Sequence, residues 1–493
     1  MNTLQLSEPA SPHCPLHQRL LLDQEELRAL KAHLGPLAAA EAQTLEEPGL
    51  AALGSQESTL RAEQQLDALA QAIRLAWMKR AHRASDDFFK SPQPHRRHRL
   101  PFAANPGHTY ERNVPATALE QRLAAYRAAP PRWHASHVVF SSGMAALASF
   151  YQSYLAMVHP TRERPLRLLS FGDYFETRML FELLKSEAFR WQSCPTQADL
   201  ASGLEGDADL LHLEPVRYDW DLTSIHLSAL IATLRRCALN TLVVDSTLTA
   251  EAFPMNRLLS ETTDSPPDVV VQISSGLKLH QLGLELSNVG LVSIFVCESR
   301  GGQQMAERIA GFLRKFRTVF GSGLSLDQLA LLDLPLFLER STTESYSRRV
   351  FANNAALARA ISPGGLFAKV SHPSLCPAAD AWAESPFVVF HLREDDLDNH
   401  GLLLAVLQHE ARARGLLFGM GSSFGFRSDR FECIVPNLSQ GRGLFKVAMG
   451  ARHGISSQRV RELIAEIAAC PDFRSLRERY SSVEPVDIRG GTA

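Results

Sequence analysis

From about residue 120 onward the chain alternates short apolar runs with longer stretches whose apolar positions recur every three or four residues. The runs 137–140, 166–171, 209–214, 241–245, 268–273 and 290–297 have strand length and are bounded by turn residues, so they predict strands. The stretches 144–158, 176–186, 225–238 and 304–319 carry the helical period. Alternation of this kind predicts an α/β domain, with a mainly parallel sheet covered by helices on both faces. Such sheets bind ligands at the carboxyl ends of their strands. A long helical region follows Gly323, roughly 325–361. Strand patterns near 387–391 and 431–435 and a last helix near 457–468 then predict a smaller α+β domain.

The first hundred residues read differently. Segments 16–38 and 60–84 have helical periodicity and are rich in Leu, Ala, Gln, Glu and Arg. A stretch with Pro48, Gly49, Gly54 and Ser55 links them. Segment 92–101 holds His95, Arg96, Arg97, His98 and Arg99, a run that fits either a solvated face or an anion or partner contact. The chain thus divides into a helical N-terminal extension (1–99), a large domain (100–335) and a small C-terminal domain (336–493).

Composition narrows the function. The 493 residues include 51 basic and 53 acidic side chains, for a formal charge of −2. That balance excludes bulk attraction to nucleic acid or an anionic membrane as the main activity. Seven scattered cysteines form no CxxC pair, so neither a disulfide framework nor a metal site is expected. Residues 1–14 lack the apolar core of a secretory signal. The most apolar stretch, 138–158, is broken by Ser141, Ser142, Gly143, Ser149, Gln152 and Ser153, which argues against a membrane span. A soluble, cytoplasmic protein is expected.

Four features stand at strand ends. Ser142, Gly143 and Met144 follow the first strand and open a helix. A small-residue turn there lets backbone N–H groups meet an anion, and it also serves as an ordinary helix cap. Tyr174 follows the second strand, where an aromatic ring either packs or stacks on a flat ligand. Asp245 ends the run Thr241–Asp245, where a carboxylate needs a partner: a turn, a metal, a sugar hydroxyl or a protonated ring nitrogen. Lys278 follows a strand through a Ser-Ser-Gly turn, as a loop lysine reaching solvent or as an amine of lowered pKa suited to an imine. In this order, anion turn, aromatic, acid and lysine are the parts that a planar aldehyde cofactor with a phosphate needs.

These residues resemble a known family, the pyridoxal-phosphate enzymes of cysteine and methionine metabolism (cystathionine γ-synthase, cystathionine γ-lyase, methionine γ-lyase). The resemblance covers roughly residues 105–465. It implies fold type I, with a large, mainly parallel, seven-stranded-type sheet domain and a small C-terminal domain, and pyridoxal 5'-phosphate as cofactor. Ser142, Gly143 and Met144 look like the family's phosphate turn, and Tyr174 like its ring-stacking tyrosine. Asp245 and Thr247 are similar to its Asp-Asn-Thr, where the Asp pairs with the pyridine nitrogen. Ser275 and Lys278 resemble its Ser-x-Thr-Lys, where the lysine holds the cofactor. Tyr110 and Arg112 resemble a Tyr-Ser-Arg segment that reaches the neighbouring subunit's phosphate. The family likeness therefore implies a homodimer or homotetramer with shared active sites.

The chain also departs from the pattern. Leu277 stands where the family has Thr before the lysine, and Tyr218 falls roughly where an Asn would meet the ring hydroxyl. Ser423 lies in a Ser-Leu-Gly-like turn, and Lys446 replaces the Arg that grips the substrate carboxylate, with Arg427 as a candidate replacement. The resemblance implies an enzyme acting on a γ-substituted amino acid by γ-elimination or γ-replacement, in a specialised branch such as secondary metabolism. Lys278 would be the base and Tyr174 would assist the leaving group. A β-lyase, aminotransferase or decarboxylase with the same cofactor is the first alternative. A non-catalytic binding module is the second. A dinucleotide-binding dehydrogenase is disfavoured, because no Gly-x-Gly-x-x-Gly follows the first strand.

Overall fold

The structure, a computed structural model, describes residues 15–33, 47–50, 55–85, 89–92, 100–101, 107–158, 164–172, 174–436 and 441–489. The basic run at 95–99 lies outside the described residues.

Strands β1 (Trp133–Phe140), β2 (Leu166–Phe171), β3 (Phe189–Ser193), β4 (Leu210–Leu213), β5 (Thr241–Asp245), β6 (Val269–Ser275) and β7 (Gly290–Cys297) form a seven-stranded sheet. Their order is β1-β7-β6-β5-β4-β2-β3. From β3 to β6 all neighbours are parallel, and β7 is antiparallel to both β6 and β1. The reversal at β7 follows from its connection: residues 276–289 join β6 to β7 without the crossover helix that a parallel neighbour would need. Alternate residues of each strand face opposite layers. Val243 and Val271 pack against helices Gly143–Val158, Phe175–Leu184 and Gly302–Phe320. Leu242, Val244 and Val270 pack against Gln197–Leu204, Leu227–Leu234 and Met255–Glu261. The large sheet, its helical cover and the mainly parallel order are those expected from the sequence.

A second sheet holds β8 (Phe367–Ser371), β9 (Val388–Leu392), β10 (Phe418–Met420), β11 (Asp429–Ile434) and β12 (Leu444–Ala448) in the order β10-β11-β12-β9-β8. Only β10 and β11 are parallel. Helices Arg340–Ala360, Leu397–Ala413 and Ile455–Ala468 cover it.

Several elements differ from expectation. The helical region after Gly323 is two helices, Leu326–Leu332 and Arg340–Ala360. Pro335 lacks the amide a helix would use, Leu338 sits at φ 62°, and Glu339 caps the second helix by accepting from the Thr342 N–H at 2.7 Å. Strand β3 is absent from the expected strands: it is a five-residue sheet edge with one buried residue, Phe189, and its alternation of Phe189 and Trp191 is too short to stand out.

The N-terminal helices Leu16–Ala32 and Gln56–Ser85 share one core with Leu279, Leu282, Leu326, Leu329 and Phe337. Trp77 donates its indole N–H to the Leu331 carbonyl at 2.9 Å. These helices are therefore packed into the body of the molecule. Among the described residues, no helix is long and apolar enough to cross a membrane.

Candidate active site

β1 runs into helix Gly143–Val158 through Ser141 and Ser142, and the Ser142 hydroxyl accepts from the Ala145 N–H at 3.0 Å. The turn lies against the first residue of β7, Gly290, where a Cβ would stand 2.1 Å from the Ser142 carbonyl oxygen. Only glycine permits that approach.

β2 ends in Phe171 and Gly172, and Tyr174 precedes helix Phe175–Leu184. Just after β4, Glu214 accepts from the backbone N–H of Tyr174 at 3.1 Å and of Tyr218 at 2.8 Å, pinning two loops. Gly172 makes room for it: a Cβ there would meet Glu214 Oε1 at 2.8 Å. The Tyr174 hydroxyl donates to Glu176 Oε2 at 2.8 Å. Burial first, then that bond, push its pKa well above the usual phenol value.

Asp245, ending β5, accepts from the Thr247 N–H at 2.9 Å, and the Thr247 hydroxyl accepts from the Ser275 N–H at 3.0 Å. The ends of β5 and β6 are thus tied together. Burial raises the Asp245 pKa, opposed by His212 and Thr247. The imidazole of His212 is wholly buried. Its Nδ1 meets the Tyr151 hydroxyl at 2.9 Å, and its Nε2 has no hydrogen-bond partner among the described residues.

Lys278 Nζ contacts the Ser423 hydroxyl. Burial, then the charge of Lys446, bring its pKa down to about 8. Ser423 is held at φ 78°, and its N–H donates to Glu432 Oε1 at 3.0 Å. Glu432 on β11 lies opposite Lys446 on β12, and the two form an ion pair at 2.5 Å. Lys446 also donates to the Tyr218 hydroxyl at 2.8 Å and stands 5.2, 4.8 and 5.5 Å from the rings of Tyr218, Phe387 and Phe424. Its pKa falls through burial, which Glu432 partly offsets.

These groups surround one cavity of about 540 Å³. Ser142, Gly143, Met144, Tyr174, Asp245, Thr247, Ser275, Lys278, Ser423 and Lys446 all line it. Three sequence candidates do not. Arg427 is buried elsewhere, its guanidinium paired with Glu26 of the N-terminal helix. That fixed counter-charge corrects the expectation that Arg427 replaces the carboxylate-binding arginine. Tyr110 is 43% exposed, and the Arg112 guanidinium rests 5.0 Å from its ring, outside this chain's cavity lining. Sequence reasoning missed Glu176 and Glu432. The place of Glu176, two residues after Tyr174, was a usable signal. Glu432 had none, because only the β11–β12 register sets it against Lys446.

No family model matches the chain, and no curated protein matches it in sequence. Solved structures do match its fold. One is apo CalE6, a methionine gamma lyase from Micromonospora echinospora, with a TM-score of 0.53 at 20% identity over 79% of this chain and 91% of that one. Another is metB from Corynebacterium glutamicum, at 0.54 and 15% identity over 82% and 98%. A third is cystathionine gamma synthase from Xanthomonas oryzae pv. oryzae in complex with cystathionine, at 0.53 and 16% identity over 80% and 99%. The chain has the fold of these three structures. It is the fold that the sequence resemblance implied. In it the cavity lies where Phe171, Asp245 and Ser275 end their strands, the usual ligand position in parallel sheets.

Proposed function

We propose that the chain is a pyridoxal-phosphate-dependent enzyme acting on a γ-substituted amino acid, by γ-elimination or γ-replacement. One observation carries this reading: a half-buried amine of lowered pKa, Lys278, faces the same cavity as the strand-end carboxylate of Asp245 and the Ser142–Gly143 turn.

The residues present fit the cofactor. Asp245 is a half-buried carboxylate with a raised pKa and a backbone N–H on one oxygen, which suits it to a protonated ring nitrogen. Ser142, Gly143 and Ser275 offer small groups and a helix N-terminus for the phosphate. Tyr174 supplies a ring for stacking, and Lys278 Nζ is the amine that would hold the aldehyde. Bound there, pyridoxal 5'-phosphate supplies an electrophilic carbon and a ring that withdraws electrons from the substrate's α-carbon.

The chain's own groups supply the rest. At a pKa of about 8, Lys278 Nζ is a ready proton carrier near neutral pH, and the Ser423 hydroxyl positions it. Lys446 supplies positive charge for the substrate carboxylate, shared with Glu432. Tyr174 spends its proton on Glu176, so leaving-group protonation would draw on the Tyr174–Glu176 pair together. Exposed Tyr110 and Arg112 are available to a second copy's cofactor phosphate, as the family resemblance implies. The choice of γ-carbon chemistry rests on the names of the structural neighbours, a gamma lyase and a gamma synthase.

Borohydride reduction of the cofactor-loaded chain, followed by peptide mass spectrometry, tests the reading. The adduct is expected on Lys278. An adduct on another residue, or none, overturns it. Release of 2-oxobutanoate from an O-substituted homoserine supports γ-elimination, whereas pyruvate from an O-substituted serine moves the reaction to the β-carbon.

A further inference from the structure

The cavity holds more acid than base. Glu176, Glu214, Asp245 and Glu432 line it, against the amines of Lys278 and Lys446. Glu214 is engaged by two backbone N–H groups and Glu432 by Lys446 and the Ser423 N–H. Asp245 is assigned to the ring nitrogen in the reading above. Glu176 differs from all three. It sits in the first turn of helix Phe175–Leu184 and accepts one neutral bond, from the Tyr174 hydroxyl. No Lys, Arg or His side chain hydrogen-bonds or ion-pairs with it among the described residues, and the cation its charge acts on is Lys278, the amine assigned to the cofactor.

The cations are already committed. Lys278 belongs to the cofactor, and Lys446 has to serve both Glu432 and the substrate's α-carboxylate. A second anionic group on the substrate would find no counter-charge and would stand near Glu176 in a partly desolvated space. A terminal ammonium or guanidinium would meet a carboxylate with an oxygen to spare.

We propose that Glu176 selects the substrate, and that the class it takes is an α-amino acid whose side chain ends in an ammonium or guanidinium group. This rests on the reading of the cavity as a pyridoxal-phosphate amino-acid site.

Three probes of matched length test it on the full chain loaded with pyridoxal phosphate: L-lysine, L-norleucine and L-2-aminoadipate. Binding is followed by the cofactor's visible absorbance and by calorimetry. Lysine is expected to bind roughly tenfold or more tighter than norleucine, the usual worth of a charge-assisted bond, and aminoadipate more weakly than norleucine. Glu176→Gln is expected to bring the lysine-to-norleucine ratio near one, and Glu176→Lys to reverse the order in favour of aminoadipate. A ratio near one in the unaltered chain, a preference there for aminoadipate, or a ratio that Glu176→Gln leaves unchanged overturns the inference and leaves the cofactor reading standing. A chain that takes up no pyridoxal phosphate overturns that reading, and the inference with it.

Discussion

The loop between β10 and β11 faces two regions. Ser423 and Phe424 line the cavity, while Arg427 turns to the N-terminal helices. Both regions bury charge, in opposite ways. Behind the loop, Glu26 lies between Arg427 and Arg349, the latter at 2.6 Å, and all three are buried. Burial alone would raise the Glu26 pKa, but the two guanidinium groups outweigh it and hold it at about 2. Around them, Asp23 accepts from the His453 N–H at 3.1 Å and Glu63 from the Ser456 N–H at 2.8 Å. In front of the loop, Lys278 meets a neutral hydroxyl, and its pKa drops. A buried charge with a fixed counter-charge is a structural part. A half-buried amine facing open space with a neutral neighbour is poised for chemistry.

Lys278→Ala separates the two regions most sharply. Turnover of an O-substituted homoserine should fall by about 10²–10⁴-fold or more, with no drop in the thermal unfolding midpoint. An unfolding midpoint that falls with activity would make Lys278 a structural residue. Glu26→Ala should do the converse. It strips the counter-charge from two buried arginines, at a cost of about 3–5 kcal/mol in denaturant unfolding. A loss below about 1 kcal/mol would remove the distinction drawn here.

Glu432→Gln probes the boundary. It frees Lys446 and loosens Ser423, so kcat should fall by roughly tenfold. The acidic limb of the pH profile, set by deprotonation of the base Lys278, should also move to lower pH, because the charge of Glu432 raises the Lys278 pKa. An unchanged profile would take Glu432 out of the site.

The smallest effect is a pH dependence behind the loop. Burial raises Asp23 from 3.8 to about 6 and Glu63 from 4.5 to about 7. Their contribution to stability is fully present below the unfolded values and is lost as pH rises through 6 to 7. His453, held down to about 3 by burial, acts in the opposite sense below its ordinary 6.5. The double variant Asp23→Asn, Glu63→Gln isolates the two carboxyls. Relative to the unaltered chain, it should gain more in unfolding midpoint at pH 8 than at pH 5.5. Equal gains at both pH values would refute the assignment.

Much of the molecule was legible because its signals are local. Six strand runs, the helices between them, the Ser142–Gly143 turn, Asp245 and Lys278 are all read within a few residues of chain. Arg427 was misread because its partner, Glu26, lies 401 residues away, in a segment that looked like an appendage. Tyr174 was read as a lone aromatic, although its hydroxyl is bound by a glutamate two residues on.

By itself the sequence determined the alternation of strands and helices and which chemical groups stand at strand ends, since periodicity and turn chemistry act over neighbouring residues. Only the tertiary structure decided which charges share a cavity and which cancel one another. Coulomb and hydrogen-bond energies depend on distance in space, and separation along the chain does not enter them.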